Sequence, residues 1–165
     1  MHLEGSCRCG RVHFACEAYA PVPYLRCYCS ICRKTAGGGG YAINLGAWRK
    51  TLDVEGRAFL GVYRARITDE GAPRTSSGRR HFCTRCGSAL WLYDPTWPTL
   101  VHPHASAIDT PLPEPPERVH MCLDFKAPWV EVPRGRTDVH VARFPRESLE
   151  QWHRRHGLYD GRGRP

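Results

Sequence analysis

The 165-residue chain contains no apolar run long enough to span a membrane, which excludes a transmembrane helix. Its opening, Met1-His2-Leu3-Glu4-Gly5, lacks the basic and apolar regions of a secretory signal, so a reducing, cytoplasmic setting is expected. No internal repeat occurs, and low complexity is confined to four glycines at residues 37–40, which excludes a repeat architecture. Acidic residues are scarce, 16 against 24 Lys and Arg, and the net charge of +8 points to an anionic partner. From Arg134 onward there are eight arginines, no lysine and four acidic residues, so about half of the excess lies in a tail. No basic surface interleaved with aromatics is visible, so the tail reads as solvated charge and a nucleic-acid partner is not expected.

What the chain does have is cysteine in tight groups. Seven of nine cysteines fall in Cys7-Arg8-Cys9, Cys27-Tyr28-Cys29-Ser30-Ile31-Cys32 and Cys83-Thr84-Arg85-Cys86. An odd total and the absence of a signal argue against a disulfide framework. No βαβ pattern surrounds the Cys-x-x-Cys pairs, as a thioredoxin-type redox motif would require. Iron–sulfur ligation is chemically open to such thiolates. Zinc suits the count best: four thiolates close a tetrahedral structural site and three leave one position open.

The flanking residues divide the groups. Cys9 and Cys86 are each followed by glycine, Gly10 and Gly87, which can take a positive φ and turn backbone N–H groups toward sulfur. Cys7, Cys9, Cys83 and Cys86 are therefore assigned to one closed site. The central group is flanked by Arg26 on one side and by Arg33 and Lys34 on the other, and cations beside a thiol favour the thiolate. Cys27, Cys29 and Cys32 are the candidates for chemistry. In the plainer alternative both ions are structural, with Cys122 or His120 completing the second site.

A chain of this length suffices for one domain with a real core. Short apolar segments separated by glycine and proline predict strands near residues 11–16, 24–28, 41–45, 51–54, 59–64, 89–93, 119–125 and 129–132. Residues 68–78 read as a surface loop, and residues 95–116, with seven prolines, as irregular connection. Residues 145–157 predict a helix, with Pro145 in its first turn, basic residues in its last and Gly157 as its stop. Leu149, Trp152 and His153 share one face of it. The expected fold is mainly β with one C-terminal helix: a zinc-binding β domain at residues 1–135 and a basic extension at 136–165 docking on it. His102 and His104 are expected in a surface loop, and Cys16 and Cys122 in the core.

The segment Gly5-Ser6-Cys7-Arg8-Cys9-Gly10-Arg11-Val12, the central cysteines with Arg33 and Gly37, and Phe82-Cys83-x-x-Cys86-Gly87 resemble the glutathione-dependent formaldehyde-activating enzyme family, which includes centromere protein V. His120 and Lys126-Ala127-Pro128-Trp129 extend the resemblance to about residue 132. It implies an Mss4-like, zinc-stapled β fold with two Zn2+ per chain, one structural and one catalytic, the latter open to loss. It implies a carbon–sulfur lyase that forms or cleaves a thiol–aldehyde adduct such as S-(hydroxymethyl)glutathione. The partners would be a small thiol such as glutathione and a small aldehyde. Tyr28, Arg33, Lys34, Gly37 and Gly38 are the candidate substrate-binding residues. The family usually carries histidine where this chain has Tyr28, and a phenol with a pKa of about 10 does not move a proton readily at neutral pH. The alternative is a zinc-stapled binding module that contacts a protein or polyanion through its basic surface.

Overall fold

In the computed structural model, which describes residues 1–68 and 71–159, strands β1 (His2–Ser6) and β2 (His13–Glu17) form a hairpin around the first cysteine group. Strand β3 (Tyr24–Cys27) runs into helix α1 (Ser30–Ala36). Short strands follow: β4 (Ala42–Asn44), β5 (Ala47–Trp48), β6 (Asp53–Glu55) and β7 (Leu60–Tyr63). After the small pair β8 (Arg66–Ile67) and β9 (Arg74–Thr75) comes a second hairpin, β10 (Arg79–Cys83) and β11 (Ala89–Tyr93), around the last cysteine group. Strands β12 (Leu100–Pro103), β13 (Arg118–Met121) and β14 (Val139–His140) precede helix α2 (Leu149–Arg155). The last residues of the basic tail, 160–165, lie outside the described residues.

The fold is mainly β, as expected, and the strands group into sheets ordered β1-β2-β6, β5-β12-β11-β10-β7, β14-β13-β3-β4 and β8-β9. The main core lies between the first two. Alternation sends Leu3, Phe14 and Cys16 inward from the three-stranded sheet and Trp91 and Val101 from the five-stranded one, while an irregularity in the β10–β11 register leaves Leu90 buried beside Trp91. Phe14 meets Trp91 edge-on at 5.1 Å, a geometry worth about 0.5–1.5 kcal/mol beyond the buried area. Gly5 faces Phe14 across the hairpin because any Cβ there would lie 2.4 Å from the ring.

The third sheet positions the central cysteines. β13 runs parallel to β3, with Arg26 opposite His120 and Cys27 opposite Met121. The two strands therefore end side by side, and Cys122 follows Met121 next to Cys27. β14, beyond residue 135, pairs with β13 and joins this sheet.

Several expectations need correction. α1 was not foreseen: the sequence pointed to a single helix, and a second one carries Cys32. His102 and His104 are buried rather than in a surface loop. His102 is part of β12, between β5 and β11, and its Nδ1 lies 3.1 Å from the Leu45 carbonyl. Residues 129–132 form a turn and coil, not a strand. The C-terminal helix is present but shorter than 145–157, starting at a capping box of Ser148 and Gln151. Its Trp152 and His153 are buried, with Trp152 Nε1 donating to Glu117 at 2.7 Å and His153 Nε2 lying 2.7 Å from the Val22 carbonyl.

Candidate metal centres

The first cluster joins two turns that are far apart in sequence. Cys7 and Cys9 leave β1 through a turn closed by Gly10 at φ 69°, and Cys83 and Cys86 leave β10 through one closed by Gly87 at φ 76°. The left-handed conformation explains glycine at both positions. The four sulfurs lie within 4.8 Å of one another. Cys7 Sγ is 3.5 Å from Cys9 Sγ, and Cys9 Sγ is 3.8 Å from Cys83 Sγ. These separations match the edge of a tetrahedron with metal–sulfur bonds of about 2.3 Å, an edge of about 3.8 Å. Val12 N–H points at Cys7 Sγ at 3.3 Å, and Ser88 Oγ lies 3.2 Å from Cys86 Sγ. The Ser88 hydroxyl and backbone N–H bring the Cys86 thiol down to about 6, favouring a thiolate ligand. The cluster fits a metal ion with four sulfur ligands.

The second cluster is local. Cys27 ends β3, Cys29 caps α1 and Cys32 lies in its first turn, and their sulfurs also lie within 4.8 Å of one another. Cys29 Sγ accepts the backbone N–H of Cys32 at 3.3 Å, the bond a serine or aspartate cap would usually accept. Cys27 and Cys32 are buried, whereas Cys29 is half-exposed. Hydrogen bonds from Cys27 and Cys32 bring the Cys29 thiol down to about 2. Cys27 is pushed up, first by its hydrogen bond with Cys122 and then by Cys29, and Cys32 is pushed up by Cys27 and Cys29. Three thiolates around one position fit a soft or borderline metal ion. Cys122 stands beside Cys27 but outside the mutually close trio, with its backbone at φ 61°.

The flanking candidates differ in placement. Tyr28 is fully buried among Ala127 and Val130 rather than with the cysteine sulfurs. Arg33 is half-buried, and its Nε has no hydrogen-bond partner. Lys34 is exposed. Gly37 ends α1, and a Cβ there would lie 2.1 Å from the Tyr41 carbonyl oxygen, whereas Gly38 faces open space. Cys16 is buried in the main core, and burial pushes its thiol up to about 12.

Sequence reasoning missed Asp138. It lies in the segment read as an extension, yet Oδ2 of its buried side chain is 3.4 Å from His120 Nε2. Burial opposes ionisation there, but the Gly135 N–H, 2.8 Å from the carboxylate, and His120 outweigh it and hold Asp138 low. His120 stacks on His140 at 4.8 Å, and burial followed by the nearby Arg26 charge holds its imidazole below the ordinary range. The i, i+2 spacing of Asp138, just before β14, and His140 within it was the available signal.

The family profile described as "Glutathione-dependent formaldehyde-activating enzyme" matches residues 2–122. A Halomonas elongata protein named "Putative glutathione-dependent formaldehyde-activating enzyme" is 56% identical over 161 residues, covering 98% of this chain and 100% of its own length. A crystal structure of a Rhodobacter sphaeroides protein, a structural-genomics target, superposes with a TM-score of 0.50 at 24% identity, covering 67% of this chain and 91% of that one. The last match speaks for the fold alone.

Proposed function

The chain belongs to the glutathione-dependent formaldehyde-activating enzyme family, and on that premise we propose that it is a carbon–sulfur lyase-type enzyme working at Cys27, Cys29 and Cys32. The reaction joins a thiol to an aldehyde or separates them, with S-(hydroxymethyl)glutathione as the leading case. In the forward direction the thiol sulfur bonds to the carbonyl carbon, the C=O π pair passes to oxygen, and the thiol proton ends on that oxygen.

The observation that carries the reading is the unequal exposure of three converging sulfurs, with Cys29 facing solvent and Cys27 and Cys32 behind it. In this reading both ions are zinc: Cys7, Cys9, Cys83 and Cys86 hold the structural one, and the trio holds the catalytic one. A zinc ion held by three cysteines supplies an open position that keeps an incoming thiol ionised at neutral pH. The chain's own residues orient the substrate. Arg33, half-buried in α1, brings a guanidinium charge next to the trio, suited to a glutathione carboxylate. Lys34 adds an exposed charge on the same helix, and the open backbone at Gly38 leaves room for the peptide beside Gly37, which packs against Tyr41. Tyr28 works from behind, fixing the chain between Cys27 and Cys29 through its buried ring.

The test is the exchange rate between formaldehyde, glutathione and their adduct, measured by NMR with the intact protein and with a folded Cys29→Ala variant. Acceleration by the intact protein alone supports thiol–aldehyde chemistry at the trio. Equal rates from both overturn it.

A further inference from the structure

Away from both cysteine clusters, an open cleft of about 700 Å³ lies between β6 and the five-stranded sheet. Its floor is apolar, formed by Val54, Trp91 and Val101, and its walls carry Trp48, His81 and Tyr93. Four cations border it: Arg49, Lys50, Arg57 and Arg79. Among the described residues no carboxylate lines it and none of the four cations forms an ion pair. Arg49 and Arg79 both lie against the ring of Tyr93, 4.5 and 5.9 Å from its centroid. One ring thus gathers two guanidiniums with no anion between them.

The contrast with α2 decides how to read this charge. Arg155, which ties that helix to the fold, is held by Glu117 and Glu147. The cleft cations have no such role, and their mutual repulsion is relieved when an anion joins them. Guanidiniums present paired donors that match phosphate oxygens. The aromatic walls suit a flat ring, and the volume is that of a small-molecule site. We propose that this cleft binds a planar organic phosphate, a mononucleotide by class, with its ring against Trp48 and its phosphate at Arg49 and Arg79, which Tyr93 holds in place. No cysteine lines the cleft, so this site is separate from the thiol–aldehyde centre.

The experiment is calorimetric titration at low salt with ADP, adenosine and inorganic phosphate as probes. The proteins are the intact chain, Arg49→Ala/Arg79→Ala and Cys29→Ala, each checked for a cooperative melting transition well above the titration temperature. The expected result is one ADP per chain, with adenosine and phosphate each at least tenfold weaker. The double arginine variant should lose at least tenfold in ADP affinity, and Cys29→Ala should bind as the intact chain does. Any of four results overturns the proposal: no saturable ADP binding, phosphate binding as tightly as ADP, an unaffected arginine variant, or loss in Cys29→Ala. The last would place the anion at the cysteine trio instead.

Discussion

The hydroxyl of Tyr28 lies 2.8 Å from Nδ1 of His120, 92 residues further along the chain. Burial and the nearby Arg26 charge hold the His120 imidazole below its ordinary range, and its Nε2 lies 3.4 Å from Asp138 Oδ2. Both rings are fully buried. The chain between two cysteines of the central trio is thereby fastened to β13 by a side-chain bond in addition to the backbone bond from Tyr28 N–H to the Met121 carbonyl.

Tyr28→Phe removes the hydroxyl and leaves the buried Nδ1 of His120 unpaired. An unpaired buried acceptor costs about 1–3 kcal/mol, to be read from denaturant unfolding. The Tyr28→Phe protein should still bind metal at the trio, since no sulfur is altered. A loss below 0.5 kcal/mol would remove the bond from the account of the site.

The two cysteine clusters should respond differently to substitution. Cys83→Ser breaks a link between two hairpins at a fully buried position. A loss of about 3 kcal/mol, or roughly 6–12 °C in melting temperature, is expected. Cys29→Ser alters a half-exposed cap that the serine oxygen can replace, so its melting temperature should move by only about 1–3 °C. Metal analysis should show one ion fewer in each.

Gly37 and Gly38 separate a steric requirement from an open one. Alanine at 37 drives its Cβ into the Tyr41 backbone, and alanine at 38 meets nothing within 4 Å. Gly37→Ala should cost about 1–3 kcal/mol, as overpacking does, and Gly38→Ala should be close to neutral. Parallel chemical denaturation of the two variants checks the pair.

Glu117 makes the docking of α2 acid-sensitive. Burial raises its pKa, but the bonds from Arg155 and Trp152 outweigh this and hold it low. A carboxylate with a depressed folded pKa stabilises the fold fully above its unfolded value, about 4.3, and the stabilisation fades as pH falls toward the folded value. Glu117→Gln should therefore melt below the wild type at pH 7, and the gap should narrow below about pH 4.3. A constant gap across this range would show that the charge is not what holds the helix.

The cysteine spacing made both clusters legible in sequence because the decisive geometry is local: a turn with glycine after it, or a strand running into a cap. α1 was not legible because its N-cap is Cys29, a residue whose metal spacing is more conspicuous than its capping. β12 was hidden by proline. Pro103 lacks an N–H, yet its carbonyl accepts the Leu45 N–H at 2.9 Å, so it fits into the sheet. Asp138 was obscured by the arginines around it, which made a strand of the third sheet resemble a solvated tail. Pairing between distant segments, such as β3 with β13, leaves no local periodicity to read.

The first cluster also sets an order of events during synthesis. Cys9 and Cys83, whose sulfurs touch, are 74 positions apart, so the N-terminal hairpin leaves the ribosome with only half of its ligand set. Closing so long a loop carries an entropic cost that grows slowly with length, and contacts of this range slow folding. Until Cys86 emerges, the pair at Cys7 and Cys9 is an unfinished chelate, and β3 waits longer still for β13. The nascent chain therefore acquires its staple before it acquires the strand that supports its reactive trio.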